Sequence, residues 1–267
     1  MQWTRRQTIA SAASYRAVTG SACGLQAGEP GALPDRVVEL RQYTLRGAQR
    51  DSLISLFEKE FVEPQNAAGA FVRGTFRDAD DPDRFVWLRG FADMASRRTA
   101  LDTFYGGPVW AAHKAAANAT IVDSDNVLLL RPSTGMPASP RADERQGSVG
   151  GFYSMTIYYL GAADPLRFGE FFRGVVLPRL ESWGARPLGF FDTEPAGNNF
   201  PRLPVRERES VFTWLARWTD ASRQQRFVER FRSVSGWRDE ASGAVLPALM
   251  RKPEVLRLMP TSRSALQ

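Results

Sequence analysis

The chain has 267 residues, 43% hydrophobic and 24% charged, which allows two units of roughly 100 residues and a buried core. Its net charge of +6 and pI near 9.9 come almost wholly from arginine, since Lys59, Lys114 and Lys252 are the only lysines. The arginines are scattered among Asp and Glu, which argues against a nucleic-acid partner. The single cysteine, Cys23, excludes an intrachain disulfide and a cysteine-based metal site, and no stretch approaches the roughly 18 to 20 apolar residues of a membrane span.

In chain order, Thr4-Arg5-Arg6-Gln7-Thr8-Ile9 and the small, mildly apolar residues after it resemble a twin-arginine export signal. Such a signal would send the chain to the periplasm; a plain basic leader would leave it in the cytoplasm. Residues 1–35 are therefore read as leader and linker. A first unit follows at 36–132. It opens with a strand at 37–45 and an amphipathic helix at 51–61, where Leu53, Ile54, Leu56, Phe57 and Phe61 recur at helical spacing. Strands at 69–76 and 85–91 flank a polar turn. Asp93 caps a helix at 94–104, Pro108 starts a short helix, and a strand at 127–131 closes the unit. A Pro/Ser/Gly-rich linker at 133–151 leads to a second unit at 152–260 and a tail at 261–267.

The second unit repeats the first. Phe85-Val86-Trp87-Leu88 returns as Phe212-Thr213-Trp214-Leu215. Phe91, Asp93, Phe104 and Trp110 return as Trp218, Asp220, Phe231 and Trp237, all 127 residues on (214 − 87). Tyr43, Gly69 and Gly74 return as Tyr158, Gly184 and Gly189 at an offset of 115 (158 − 43). The extra 12 residues (127 − 115) fall in one loop at 192–210. Each unit reads strand, helix, strand, strand, helix, short helix, strand. This is a ferredoxin-like α+β pattern, and two tandem units predict an intrachain dimeric α/β barrel. The chain is then a monomeric pseudo-dimer, or a higher homo-oligomer built from it.

Val38-Glu39-Leu40-Arg41-Gln42-Tyr43-Thr44-Leu45, Phe85-Val86-Trp87-Leu88-Arg89-Gly90-Phe91, the helix carrying Arg97 and Arg98, and Gly107-Pro108-Val109-Trp110 resemble the NIPSNAP family of the dimeric α/β-barrel superfamily. The second copy is looser, with Ser154 and Thr156 in place of Glu39 and Arg41. The resemblance implies the barrel but no reaction, because the superfamily includes oxygenases, haem enzymes and plain ligand binders.

Alternation puts Glu39, Arg41 and Tyr43 on one face of the opening strand and Val38, Leu40, Gln42 and Thr44 on the other. The apolar set is expected to pack on helices and the polar set to face the barrel interior. There Glu39, Arg41 and Tyr43 form either the floor of a ligand site or a network that fixes strand register. Tyr158, Trp87 and Trp214 read first as core and second as aromatic walls of the same pocket. His113, the only histidine, rules out sites that need two. It shares a helix face with Trp110 and is either a packing residue or, by superfamily resemblance, an axial haem ligand; its counterpart is Glu240. No metal and no other cofactor is expected. No serine-hydrolase elbow, dinucleotide fingerprint or phosphate loop is present. The expected function is binding of a small apolar or aromatic molecule in the barrel. A small-substrate oxygenase or haem-dependent enzyme is the alternative. A protein-interaction module using the Pro- and Arg-containing 192–210 loop is a third.

Overall fold

The computed structural model describes residues 35–133, 151–161, 165–233 and 249–266. Nearly all of the expected leader and linker, together with Trp237 and Glu240, lie outside these residues. Within the compact unit 33–267, eight strands form one antiparallel sheet: β1 (Val37–Leu45), β2 (Phe71–Asp78), β3 (Arg84–Phe91), β4 (Ile121–Pro132), β5 (Phe152–Tyr159), β6 (Arg186–Thr193), β7 (Val211–Trp218) and β8 (Glu254–Pro260). The sheet closes into a barrel in the order β1-β3-β2-β8-β5-β7-β6-β4. The fold is thus α+β with a closed eight-stranded antiparallel barrel. Strands β4-β1-β3-β2 and β8-β5-β7-β6 follow one internal order. They join at two seams, β2 with β8 and β4 with β6. Closure leaves no strand edge unpaired along the ring.

The helices are α1 (Arg50–Leu56), α2 (Val62–Ala67), α3 (Met94–Gly106), α4 (Pro108–Thr120), α5 (Pro165–Phe171), α6 (Leu177–Ser182) and α7 (Ala221–Ser233). A wide π turn joins α1 to α2 at Phe57–Phe61, and another joins α5 to α6 at Phe172–Val176. The expected helix at 51–61 is therefore the first part of a longer, interrupted one. The cause is legible: Pro64 and Pro178 follow the two π turns. A proline ring collides with the carbonyl four residues back, here Glu60 and Gly174, and widening the helix there relieves the collision. Helix α4 outruns the expected short helix because Ala111, Ala112, Ala115, Ala116, Ala117 and Ala119 favour its continuation. Asp93 caps α3 as expected, its carboxylate accepting from Ser96 N–H at 2.7 Å. Residues 261–266 are no loose tail. Thr261 N–H donates to the Thr75 carbonyl at 2.9 Å, and Leu266 joins the barrel interior.

That interior corrects the expected strand faces. Val38, Leu40, Val86, Leu88, Leu128 and Leu130 meet Tyr153, Met155, Ile157, Leu215, Leu256 and Leu258 inside the barrel. Tyr43 and Trp87 instead pack with Leu53, Ile54, Phe57, Phe61 and Phe104 beneath the helices. An eight-stranded barrel has an interior just wide enough for side chains to fill, so its strands turn their aliphatic residues inward. The polar set goes to the other face.

Gly69 follows α2 with φ +90° and Gly184 follows α6 with φ +88°. Both close the helix with the same bonds, Gly69 N–H to Asn66 and Ala70 N–H to Gln65, and Gly184 N–H to Glu181 and Ala185 N–H to Leu180. A Cβ at Gly69 would meet only Ala100 Cβ, at 3.9 Å, so the cost of adding one is conformational. Gly69→Ala is expected to destabilise the protein by about 1 kcal/mol or more without creating a clash, measured as a lowered urea midpoint with unchanged slope.

Candidate functional site

Strand register gathers the polar set. Glu39 lies opposite Arg89 across β1 and β3, Arg41 opposite Trp87, and Tyr43 opposite Phe85. Helix α3 crosses above them and buries Arg97, Ala100, Leu101 and Phe104, a stripe at helical spacing whose first member is an arginine. The Glu39 carboxylate is the hub. Its Oε2 accepts from Arg41 Nη1 at 2.8 Å and Arg89 Nε at 2.8 Å, and its Oε1 accepts from Arg97 Nε at 2.7 Å. Arg41 Nε donates to the Tyr43 hydroxyl at 3.1 Å, and Arg89 Nη1 to Gln65 Oε1 at 2.9 Å. The Arg41 guanidinium stands 5.4 Å from the Tyr43 ring and 5.6 Å from the Trp87 ring, and Arg89 stands 5.1 Å from Trp87.

All four charged residues are 0% exposed, so bulk water screens none of their interactions. Burial alone would raise the Glu39 pKa. The guanidiniums of Arg89, Arg41 and Arg97 overcome that and hold the carboxyl well below the usual carboxylate range. Burial pushes the Tyr43 phenol up, which keeps it neutral at ordinary pH. The cluster therefore sets three buried positive charges against one negative charge.

A distant segment covers it. In the long loop between β6 and β7, Asn198 Oδ1 and Asn199 Oδ1 accept from Arg97 Nη1 at 3.1 and 2.6 Å. Phe200 is 1% exposed and packs with Val37, Phe91 and Leu101. The middle of this loop is thus built into the first half of the barrel, where its composition suggested an exposed contact.

Among the described residues of the second half there is no comparable cluster. Ser154, Thr156, Leu180, Ala216 and Gln224 stand where the first half has Glu39, Arg41, Gln65, Arg89 and Arg97. Ser154 Oγ accepts from Trp218 Nε1 at 2.9 Å. Tyr158 packs 5.3 Å from Phe168 and 5.9 Å from Phe172, and Trp214 lies 6.2 Å from Phe172, in an aromatic core. His113 and Trp110 both contact Phe61, at 6.3 and 5.7 Å between ring centroids, and so share a face as expected. His113 Nε2 lies 3.4 Å from Glu60 Oε2 with the side chain 33% exposed. Among the described residues no group of three or more His, Cys, Asp or Glu could hold a metal ion, and no helix is long and apolar enough to cross a membrane.

The structure thus brings Glu39, Arg41, Tyr43 and Trp87 together and leaves Tyr158, Trp214 and His113 elsewhere. Arg89, Arg97, Gln65, Asn198 and Asn199 were not among the expected site residues. One signal could have found the first three: each is charged or amide-bearing in the first copy and loses that character or its charge at the repeat offset.

No family model matches the chain, and no curated protein matches it. Similar solved structures exist. An anthrone oxidase-like protein is 11% identical over 88% of this chain and 96% of its own, with a TM-score of 0.57. A proposed monooxygenase from Fusobacterium nucleatum is 10% identical over 84% of this chain and 91% of its own, with a TM-score of 0.52. At such identities the likeness is one of fold. NIPSNAP proteins are also among the similar structures. An uncharacterised NIPSNAP-like domain protein from Burkholderia xenovorans is 24% identical over 39% of this chain and 90% of its own, with a TM-score of 0.35.

Neutralising Glu39 would leave three buried guanidiniums with no carboxylate among them. Glu39→Gln is expected to cost about 3–5 kcal/mol at neutral pH, read from urea unfolding. A carboxyl with a lowered folded pKa stabilises above its unfolded value of about 4.3, and that contribution is lost as pH falls towards the folded value. The gap between wild type and Glu39→Gln should therefore narrow below about pH 4.

Proposed function

We propose that the chain is a single-chain, NIPSNAP-type barrel of two ferredoxin-like units, 36–132 and 152–260, that binds a small molecule beneath the helices of the first. The observation that carries this is the buried Glu39 hub with its three arginines, set among Tyr43, Trp87 and Tyr105. The residues on which the NIPSNAP resemblance rests are the same ones: Glu39, Arg41, Tyr43, Trp87, Arg89 and Arg97. A charged cluster under the helices of one half, with the uncharged Ser154, Thr156, Ala216 and Gln224 at the matching places in the other, fits a site kept in one copy and scaffold in the other.

Binding accounts for the geometry better than proton transfer does. A general base works best with a pKa near the working pH. Glu39 is held far below that, and its two oxygens already accept three guanidinium bonds. The solved structures of similar fold include a proposed monooxygenase and an anthrone oxidase-like protein. An oxygenase reading would need a base or cofactor site that this cluster does not supply.

The test is a thermal-shift screen of small aromatic compounds, neutral and charged, against wild type, Tyr43→Phe and Tyr158→Phe. Removing the Tyr43 hydroxyl takes away the acceptor of Arg41 Nε, so the ligand-induced rise in Tm should shrink in Tyr43→Phe and persist in Tyr158→Phe. Equal losses in the two variants, or no shift from any compound, would sink the first-unit site.

A further inference from the structure

We propose that the first-unit site takes a small oxyanion, bound at the Arg97 guanidinium in the place now held by the amide oxygens of Asn198 and Asn199. This rests on the ligand-binding reading above and adds the charge and position of the ligand.

Three observations support it. The first is charge. Arg41, Arg89 and Arg97 are fully buried around the one carboxylate of Glu39, which leaves two positive charges without a counter-charge in the cluster. Buried charges are ordinarily paired, and an unpaired one is costly. Structural need is met in the second half by Ser154, Thr156, Ala216 and Gln224, so the fold does not demand these charges.

The second is unmet hydrogen bonding. Arg97 Nη2 is a buried donor with no acceptor. It can only donate, so the missing partner is an acceptor. An oxyanion supplies acceptors and negative charge together, and a planar guanidinium binds a carboxylate through two parallel bonds.

The third is the cover. Asn198 and Asn199 are only half-buried and lie between Arg97 and solvent. Their amide orientation is set from behind, since Asn198 Nδ2 donates to the Leu203 carbonyl and Asn199 Nδ2 to the Met94 carbonyl. Two neutral carbonyl oxygens are thereby aimed at Arg97 Nη1. An oxyanion adds to the hydrogen bond a Coulombic attraction for the guanidinium that a neutral amide oxygen lacks, so it has the advantage over both amides. Phe200 and Tyr105, 6.0 Å apart between ring centroids, pack together beside these amides and anchor the covering loop.

The experiment measures Tm of the full chain with sodium benzoate, benzamide or sodium sulfate at matched ionic strength. Benzoate should raise Tm, benzamide should not, and Arg97→Gln should abolish the benzoate shift. Sulfate acting as strongly as benzoate would identify an inorganic oxyanion as the ligand type; benzoate acting alone would identify an organic carboxylate. Asn199→Asp guards against a misfolded Arg97 variant, because it delivers a carboxylate to Arg97 from within. Because it also loses the Nδ2 donor to the Met94 carbonyl, it is read on ligand response alone: it should weaken benzoate binding by about tenfold or more. Benzamide shifting Tm as much as benzoate would overturn the oxyanion while leaving a ligand site in place. No shift from benzoate or sulfate, or an Asn199→Asp variant that keeps full benzoate affinity, would overturn it as well.

Discussion

Closure of the eight-stranded ring is the constraint from which the other features follow. A closed sheet has an inside and an outside, and at eight strands the inside is just wide enough for packed side chains to fill. Val38, Leu40, Met155, Ile157, Leu256 and Leu258 fill it. Every strand must then send its alternate residues outward, under the helices. On β1 and β3 those residues are Glu39, Arg41, Tyr43, Trp87 and Arg89. The charged cluster lies on the outer face because the barrel interior takes the aliphatic residues, and its burial comes from helices laid over that face.

Joining the two halves in one chain makes a difference between them possible. Both halves keep the backbone devices that shape them: the π turn ahead of a proline and the left-handed glycine that ends the helix. They differ where side chains meet under the helices. One half carries the charges, and the other has Ser154, Thr156, Ala216 and Gln224 at those positions. The β6–β7 loop then uses this freedom. It grows in the second half and closes over the first, with Phe200 as its apolar anchor and Asn198 and Asn199 as its polar contact. One half has become scaffold and cover for the other.

The strands, the helices between them and the barrel were legible in the sequence because they rest on periodicity, which survives side-chain change. The facing of β1 was not. Alternation separates two faces but does not say which is drier, and Val38 with Leu40 would serve as well under a helix as inside a ring. The π turns were missed because an apolar helical period tolerates one wide turn, although Pro64 and Pro178 marked the places. Glu39, Arg41, Tyr43 and Trp87 could be picked out as polar or aromatic residues sharing a strand face. Arg97 by itself reads as the solvated edge of a helix, and only its replacement by Gln224 at the matching position sets it apart. Asn198 and Asn199 reach their partner across about a hundred residues, a contact that only the folded chain defines.

The seams carry a consequence of their own. Strands β1 and β3 are paired at eight positions, whereas β2 meets β8 at three and β4 meets β6 at three. The ring is therefore fastened unevenly, firmly within each half and lightly between them. Partial opening should begin at the two light joints, so amide protons on β6 and β8 should exchange with solvent sooner than those in the middle of β1. The β4–β6 joint leads directly into the loop that holds Asn198 and Asn199, and its loosening would free that loop while both half-barrels stay folded.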